Sequence, residues 1–380
     1  MLSRLGARRV QAYRRWSQLR SDHGWASLQY QTMLRTPITI KDTKAGVGAS
    51  ILVDARQAVE YAFVRADSDA PVIWHSGDMY DFAGSPTGQR GVSCSQSSSN
   101  FARSICLPPG DYMMLVRAIY EMRLFGDPGL EAPTIRFKMT VEIDSTRDHL
   151  VFVDGLAIVP DVVDGKIMGQ WMSVGLRVPC GREGVSLQSI SCNSKGIRLE
   201  LPRPTTIISG QTRRIACRIV QITPFVRIDT LNFSLRWRGA SSRSDGHSEA
   251  SLPMRQRTSE ETFKFTFPSP VATTNSPPAQ VGYAMAVPPT PHARLPRYLK
   301  ERSMKAIPVI LALHGAGVDV EWKDWLEAMP ITGSWSVLPT GKNEWGEDWH
   351  GASMADAWSA RETLAVVLET VGITVSDQTL

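Results

Sequence analysis

At 380 residues, with 42% hydrophobic and 21% charged side chains, the chain has a globular composition and is too long for one ordinary core. Its net charge of +5 arises from 42 basic against 37 acidic residues. The basic residues are spread along the chain except at its start, so a nucleic-acid partner is not indicated. The longest apolar run falls far short of the ~20 residues a spanning helix needs, so no membrane partner is expected.

In chain order, residues 1–35 read as a basic leader. Arg4, Arg8, Arg9, Arg14, Arg15 and Arg20 occur there with no acidic residue among the first twenty. A mitochondrial presequence has that look, whereas a secretory signal would need an apolar core after the arginines. A cytoplasmic chain is the expectation, and mitochondrial import is the alternative. Five cysteines follow, Cys94, Cys106, Cys180, Cys192 and Cys217, with no CxxC pair and so no zinc signature. Free, mostly buried thiols are expected, with hairpin bridges within 94–106 or 180–192 as the alternative.

Residues 36–145 and 146–239 read as two β-rich, antiparallel sandwich-like domains. Between 134 and 144, Ile135, Phe137, Met139, Val141 and Ile143 alternate with Arg136, Lys138, Thr140 and Glu142. That period of two marks a strand with one wet face. A longer apolar stretch, 111–125, ends in Gly126-Asp127-Pro128-Gly129, a strong turn signal. The alternation recurs at 196–201 and 231–237. Segment 240–262, rich in Ser, Arg and Glu without apolar period, reads as a polar linker. Within it Gly246-His247-Ser248-Glu249-Ala250 imitates a nucleophile turn, but no apolar strand precedes it and no helix follows.

From 263 to 380 the pattern changes. Strands are predicted at 263–267, 281–287 and 309–313, the last ending in His314-Gly315-Ala316-Gly317. Asp319 can cap a short helix carrying Trp322, Trp325, Leu326 and Met329. A buried strand at 335–338 precedes a helix at 353–371, where Ala357, Ala360, Leu364, Val367 or Leu368, and Val371 recur at helical spacing. Ser353 and Asp356 suit a capping box, and Gly372 suits the stop. This order of strands and helices suits a parallel sheet. A small-residue turn after a buried strand can present backbone N–H groups to a developing oxyanion. The turn from His314 to Gly317 is therefore a candidate oxyanion loop, with His314 and Gly317 as candidate substrate-loop residues. Asp348, Trp349 and His350 follow a strand end and are candidate substrate-loop residues; packing of that loop is the alternative reading. Phosphate-loop, dinucleotide and HExxH signatures are absent, so neither a cofactor nor a metal is expected.

These residues resemble a fungal α/β-hydrolase group of the prolyl oligopeptidase-like (S9) superfamily. The resemblance rests on Leu124-Phe125-Gly126-Asp127-Pro128-Gly129, Val159-Pro160-Asp161-Val162-Val163-Asp164-Gly165, the 311–317 turn, Pro339-Thr340-Gly341 and Asp348-Trp349-His350. It implies a multidomain fold, a β-rich N-terminal part followed by an incomplete α/β-hydrolase domain at 263–380. It also implies acyl transfer on a peptide or ester substrate, with Gly315 and Ala316 lending main-chain N–H groups to the oxyanion hole. The G-x-S-x-G serine, acid and histidine of that group have no counterpart here, so no catalytic residue is assigned and an inactive relative is expected. Self-association through an exposed sheet edge is expected of such a half-sheet. A noncatalytic β-sandwich binding protein is the second reading.

Overall fold

A computed structural model describes residues 29–41, 49–55, 59–68, 71–76, 103–121, 139–143, 148–269, 280–290, 307–315, 318, 320–341 and 349–379. These fall into two compact units, one built from residues before 148 and one from residue 148 onward.

The first unit contains β1 (Gln29–Ile40), β2 (Ala49–Ala55), β3 (Val59–Arg65), β4 (His75–Ser76), β5 (Arg103–Leu107), β6 (Gly110–Glu121) and β7 (Met139–Ile143). They form a four-stranded sheet, β1-β6-β3-β4, and a three-stranded sheet, β5-β2-β7. All pairs are antiparallel. Ile51, Val53 and Leu107 from the smaller sheet share one core with Ile40, Tyr61, Tyr112, Met114 and Val116 from the larger. β1 begins at Gln29, inside the segment read as leader. Residues 1–28, the 126–129 turn and Cys94 lie outside the described residues.

The second unit begins with β8 (Val151–Phe152), β9 (Val162–Val163), β10 (Lys166–Ile167), β11 (Trp171–Arg177), β12 (Val185–Cys192), β13 (Ile197–Glu200), β14 (Thr205–Ile207), β15 (Thr212–Gln221), β16 (Thr230–Gly239), β17 (Asp245–Pro253) and β18 (Gln256–Arg257). Two four-stranded sheets, β13-β15-β11-β8 and β14-β12-β16-β17, enclose one core that includes Met172, Val174, Leu187, Ile215, Phe233 and Leu235. β16 alternates buried and exposed residues along most of its length, as a strand with one wet face should. The polar segment 240–262 therefore holds a nine-residue strand, β17, paired in continuous register with β16. Its polarity reflects an edge position.

β9 and β10 form a hairpin whose two-residue turn is Asp164-Gly165. Both have positive φ, 47° and 78°, the geometry that makes Asp-Gly a strong hairpin signal. β18 adds to β9 in parallel. Within β9, Val162 packs into the sandwich core, while its neighbour Val163 packs into the next core along the chain. Successive strand residues face opposite ways, so this short strand is a wall shared by two cores.

The remaining elements are β19 (Phe263–Pro268), β20 (Val281–Val287), β21 (Ile307–Leu311), α1 (Lys323–Ala328), β22 (Trp335–Pro339), α2 (Gly351–Glu369) and β23 (Val375–Thr379). They form a mixed sheet in the order β19-β20-β22-β21-β23. α2 lays Ala360, Leu364, Val367 and Leu368 against Phe263, Phe265, Val309, Trp335 and Val337. Trp325 and Leu326 of α1 pack with Met285, Val287 and Leu338. β22 is buried at all five positions.

The expected α/β-hydrolase domain is not evident, and the fold class is corrected. The described chain is strand-rich, divided among several small sheets, with two α-helices. Alternating apolar runs and one long helix imitate the α/β order in sequence. In space, β19 pairs antiparallel with β20 and β20 antiparallel with β22, and α1 has only six residues. The expectation for the cysteines is also corrected in part: Cys106 and Cys180 are disulfide-bonded, whereas Cys192 and Cys217 are free thiols.

Candidate functional site

β21 delivers the chain to His314 at the carboxyl end of the parallel pair β21–β22. The imidazole is 3% exposed. Its Nδ1 lies 2.9 Å from the Gly315 carbonyl oxygen and its Nε2 lies 3.1 Å from that of Thr340. A neutral ring has one N–H, so it donates to one of these, and its tautomer decides which. The Trp349 indole N–H donates to the His314 carbonyl at 2.9 Å, and the two rings meet edge-on at 4.9 Å. Trp349 adopts φ 55°, a left-handed conformation that costs a non-glycine residue about 1 kcal/mol or more. His314, Thr340 and Trp349 thus form a clamp tying the ends of β21 and β22 to the start of α2.

Gly315 is exposed, and a Cβ added there would meet nothing within 4 Å. Ala316, Gly317 and Asp348 lie outside the described residues. His350 is exposed and is the N-cap residue of α2, with no side-chain capping bond. The structure therefore brings together His314 and Trp349 among the predicted residues, and leaves the imidazole of His350 facing water. Ser353, expected to cap the helix, is fully buried within its first turn. Asp356, the other half of the expected box, accepts a hydrogen bond from the buried Ser269 hydroxyl at 2.8 Å.

Sequence reasoning missed a charged network below the mixed sheet. Asp161 is 2% exposed and accepts from Arg255 Nε and from the Lys264 backbone N–H, both at 2.8 Å. Arg255 Nη1 reaches Glu321 at 3.1 Å, and the Lys264 ammonium pairs with the same carboxylate. Burial alone would raise the Glu321 carboxyl, but Lys264 and Arg255 together outweigh it and hold the group below its ordinary value. Lys264 also sits 4.4 Å from the centre of the Tyr283 ring. Four charges far apart in sequence meet here, and only Asp161 belonged to a motif that sequence reading singled out. Burial pushes the Cys217 thiol up to about 12, making it a core residue with little thiolate character.

A second missed feature is an open groove of about 350 Å³. It is bordered by Lys166, Gln170, Arg218, Thr223 and Thr370, over an apolar floor that includes Val220. The groove joins the outward face of β15, the hairpin of β9 and β10, and the residue after α2. Lys166 spends one of its three donors on the Pro224 carbonyl at 2.7 Å. Arg218 is exposed, with Glu200 no nearer than 4.0 Å. Among the described residues, none that lines the groove is acidic. Gln221 anchors its wall, accepting from the Ile167 N–H and donating to the Gly165 and Thr223 carbonyls. Outward basic residues on β15 were visible in sequence as solvated surface, whereas their meeting with Thr370 depends on the tertiary fold.

No protein-family model matches the chain, and no curated protein matches it. Among solved structures, similarity is found to a protein assigned as a β-galactosidase from Bacteroides fragilis: 9% identity, TM-score 0.28, covering 59% of this chain and 32% of that one. A calcium-binding mutant of Bacteroides uniformis β-glucuronidase 2 shares 12% identity at TM-score 0.28, over 62% of this chain and 27% of that one. The glycoside hydrolase domain of Endo-D from Streptococcus pneumoniae gives 7% identity and TM-score 0.18, over 59% and 33%. The chain thus spans about a third of each. The strand-rich fold, in which no α/β-hydrolase domain is evident, corrects the S9 peptidase resemblance.

Proposed function

We propose that this chain is a noncatalytic β-sheet binding protein whose ligand lies along the Lys166–Arg218–Thr370 groove. The groove's lining carries the reading: two cations and several uncharged hydrogen-bonding side chains surround an apolar floor, without a carboxylate among them. An extended polar ligand bearing carboxylate, sulfate or phosphate suits it. The cations would hold the anionic group, and the floor would accept an apolar face. An open shape favours a ligand that runs through the groove over one that is enclosed. In the candidate oxyanion turn, His314 is committed to backbone carbonyls, and Asp161, in the network that sequence reasoning missed, is committed to an ion pair. Their work is structural.

Calorimetric titration of the whole protein with oligosaccharides differing only in carboxylate or sulfate content tests the proposal. Charged members are expected to bind, and Arg218→Glu to weaken them roughly tenfold or more, the scale of one charge-assisted hydrogen bond. Equal binding of neutral and charged members, or an unchanged affinity in Arg218→Glu, would overturn it.

A further inference from the structure

Among the described residues β17 is the last strand of its sheet, and its outer side carries a pattern that fits a copy of itself. The Gly239 N–H donates to the Ser244 carbonyl at 2.8 Å, and the Met254 N–H to that of Asp229 at 2.9 Å. Both lie on the β16–β17 register. Antiparallel ladders alternate, so Gly246, Ser248, Ala250 and Leu252 turn their backbone groups toward β16. Asp245, His247, Glu249 and Ser251 turn theirs outward. Their side chains are exposed as well. The strand has no bulge, and no Lys, Arg or Pro interrupts it before Pro253. Those are the devices by which natural edges avoid pairing.

We infer that two copies of this chain pair through β17, antiparallel about a two-fold axis at Ser248. Outward hydrogen bonding belongs to the odd-numbered residues, so allowed registers oppose odd with odd. Centring on Glu249 sets two carboxylates face to face, and centring on His247 sets Asp245 against Glu249; both are unfavourable. Centring on Ser248 places His247 opposite Glu249 twice and Asp245 opposite Ser251 twice. Arg236 stands beside His247 on β16, so the incoming carboxylate meets an imidazole that can hydrogen-bond it and a guanidinium beyond. Gly246 faces Ala250 on the inner side, where small residues admit close approach. Four outward residue pairs exchange about eight backbone hydrogen bonds, and the two four-stranded sheets become one. The interface is isologous, so it closes at the dimer.

Sedimentation of the full chain over a concentration series up to about 1 mM tests this pairing. A reversible dimer is expected. Glu249→Lys, which sets Lys against His247, and His247→Glu, which sets Glu against Glu249, should each weaken it about tenfold or more. The double variant His247→Glu with Glu249→Lys sets opposite charges against each other in the same register and should recover the dimer. Glu249→Pro deletes only an outward N–H, leaving the β16 ladder intact, and should also give monomer. A wild-type monomer throughout the series, or single variants that dimerise as wild type, or a double variant that fails to recover, would overturn the pairing.

Discussion

The sandwich and the mixed sheet of the second unit solve the same burial problem differently. β16 and β12 cover one core and keep one wet face, so their sequences alternate. β20 and β22 are covered on both sides and read as near-continuous apolar runs. The contrast teaches that strand periodicity reports how many faces are covered more directly than it reports fold. It also shows how two unlike regions can be joined economically. β9 gives one valine to each core, and Asp161 beside it binds Arg255 and the Lys264 backbone. A two-residue strand and one carboxylate serve both sides.

The largest expected effect breaks one side of that comparison. Phe265 is fully buried between the mixed sheet and α2, and Phe265→Ala removes a ring that the surrounding strands cannot collapse to replace. A loss of about 3–5 kcal/mol is expected in chemical denaturation. If the two regions fold as one, the sandwich signal should shift with it. Separate transitions for the sandwich and the mixed sheet would show that β9 does not couple them.

Asp161→Ala attacks the junction itself. It strands the Lys264 N–H and removes the counter-charge of Arg255, which is partly exposed and can turn to water. A loss of about 3 kcal/mol is expected, together with a calorimetric transition that broadens or splits as the regions uncouple. A single sharp transition at the wild-type temperature would remove this role.

Much of this contrast was legible in the sequence. The runs at 281–287 and 335–338 and the long helix near 353–371 were placed within two residues of their observed positions, because each is strongly apolar or periodic. Two features misled. The polar edge strand β17 read as linker, since an edge needs little apolar content when its partner strand supplies the core. The run of strands and helices read as an α/β hydrolase, because β21, β22 and β23 do pair in parallel, whereas local patterns do not encode that β19 and β20 join them antiparallel. Of the candidate site, His314 and Trp349 were legible from their turn. The groove and the ion network were not, because they join residues from distant parts of the chain.

A smaller effect sharpens the junction by pH. Glu321 is held below its ordinary carboxylate value, so its stabilisation is fully present above the unfolded-state value, near 4.3, and is lost as pH falls through the lower folded one. The acid limb of the stability curve should therefore be shallower in Glu321→Gln, whose neutral side chain has no proton to gain. An identical slope in both proteins would mean that the network contributes nothing to acid stability.

The smallest expected effect lies on the sandwich's wet face. Arg238 Nε donates to Asp245 Oδ1 at 2.7 Å, a better-formed geometry than the 3.1 Å contact between Arg255 and Glu321. The Asp245 carboxyl is held low by its bond from Arg238, and the Arg238 guanidinium is raised in turn. Both side chains are more than half exposed, so water replaces each as readily as the partner does. Arg238→Ala should leave the thermal midpoint unchanged at moderate salt, with any shift confined to low ionic strength. A clear destabilisation at moderate salt would mean that this pair clamps the β16–β17 edge. Distance alone does not rank these interactions, since a shorter ion pair is expected to matter less than a longer one whose charges are partly withdrawn from water.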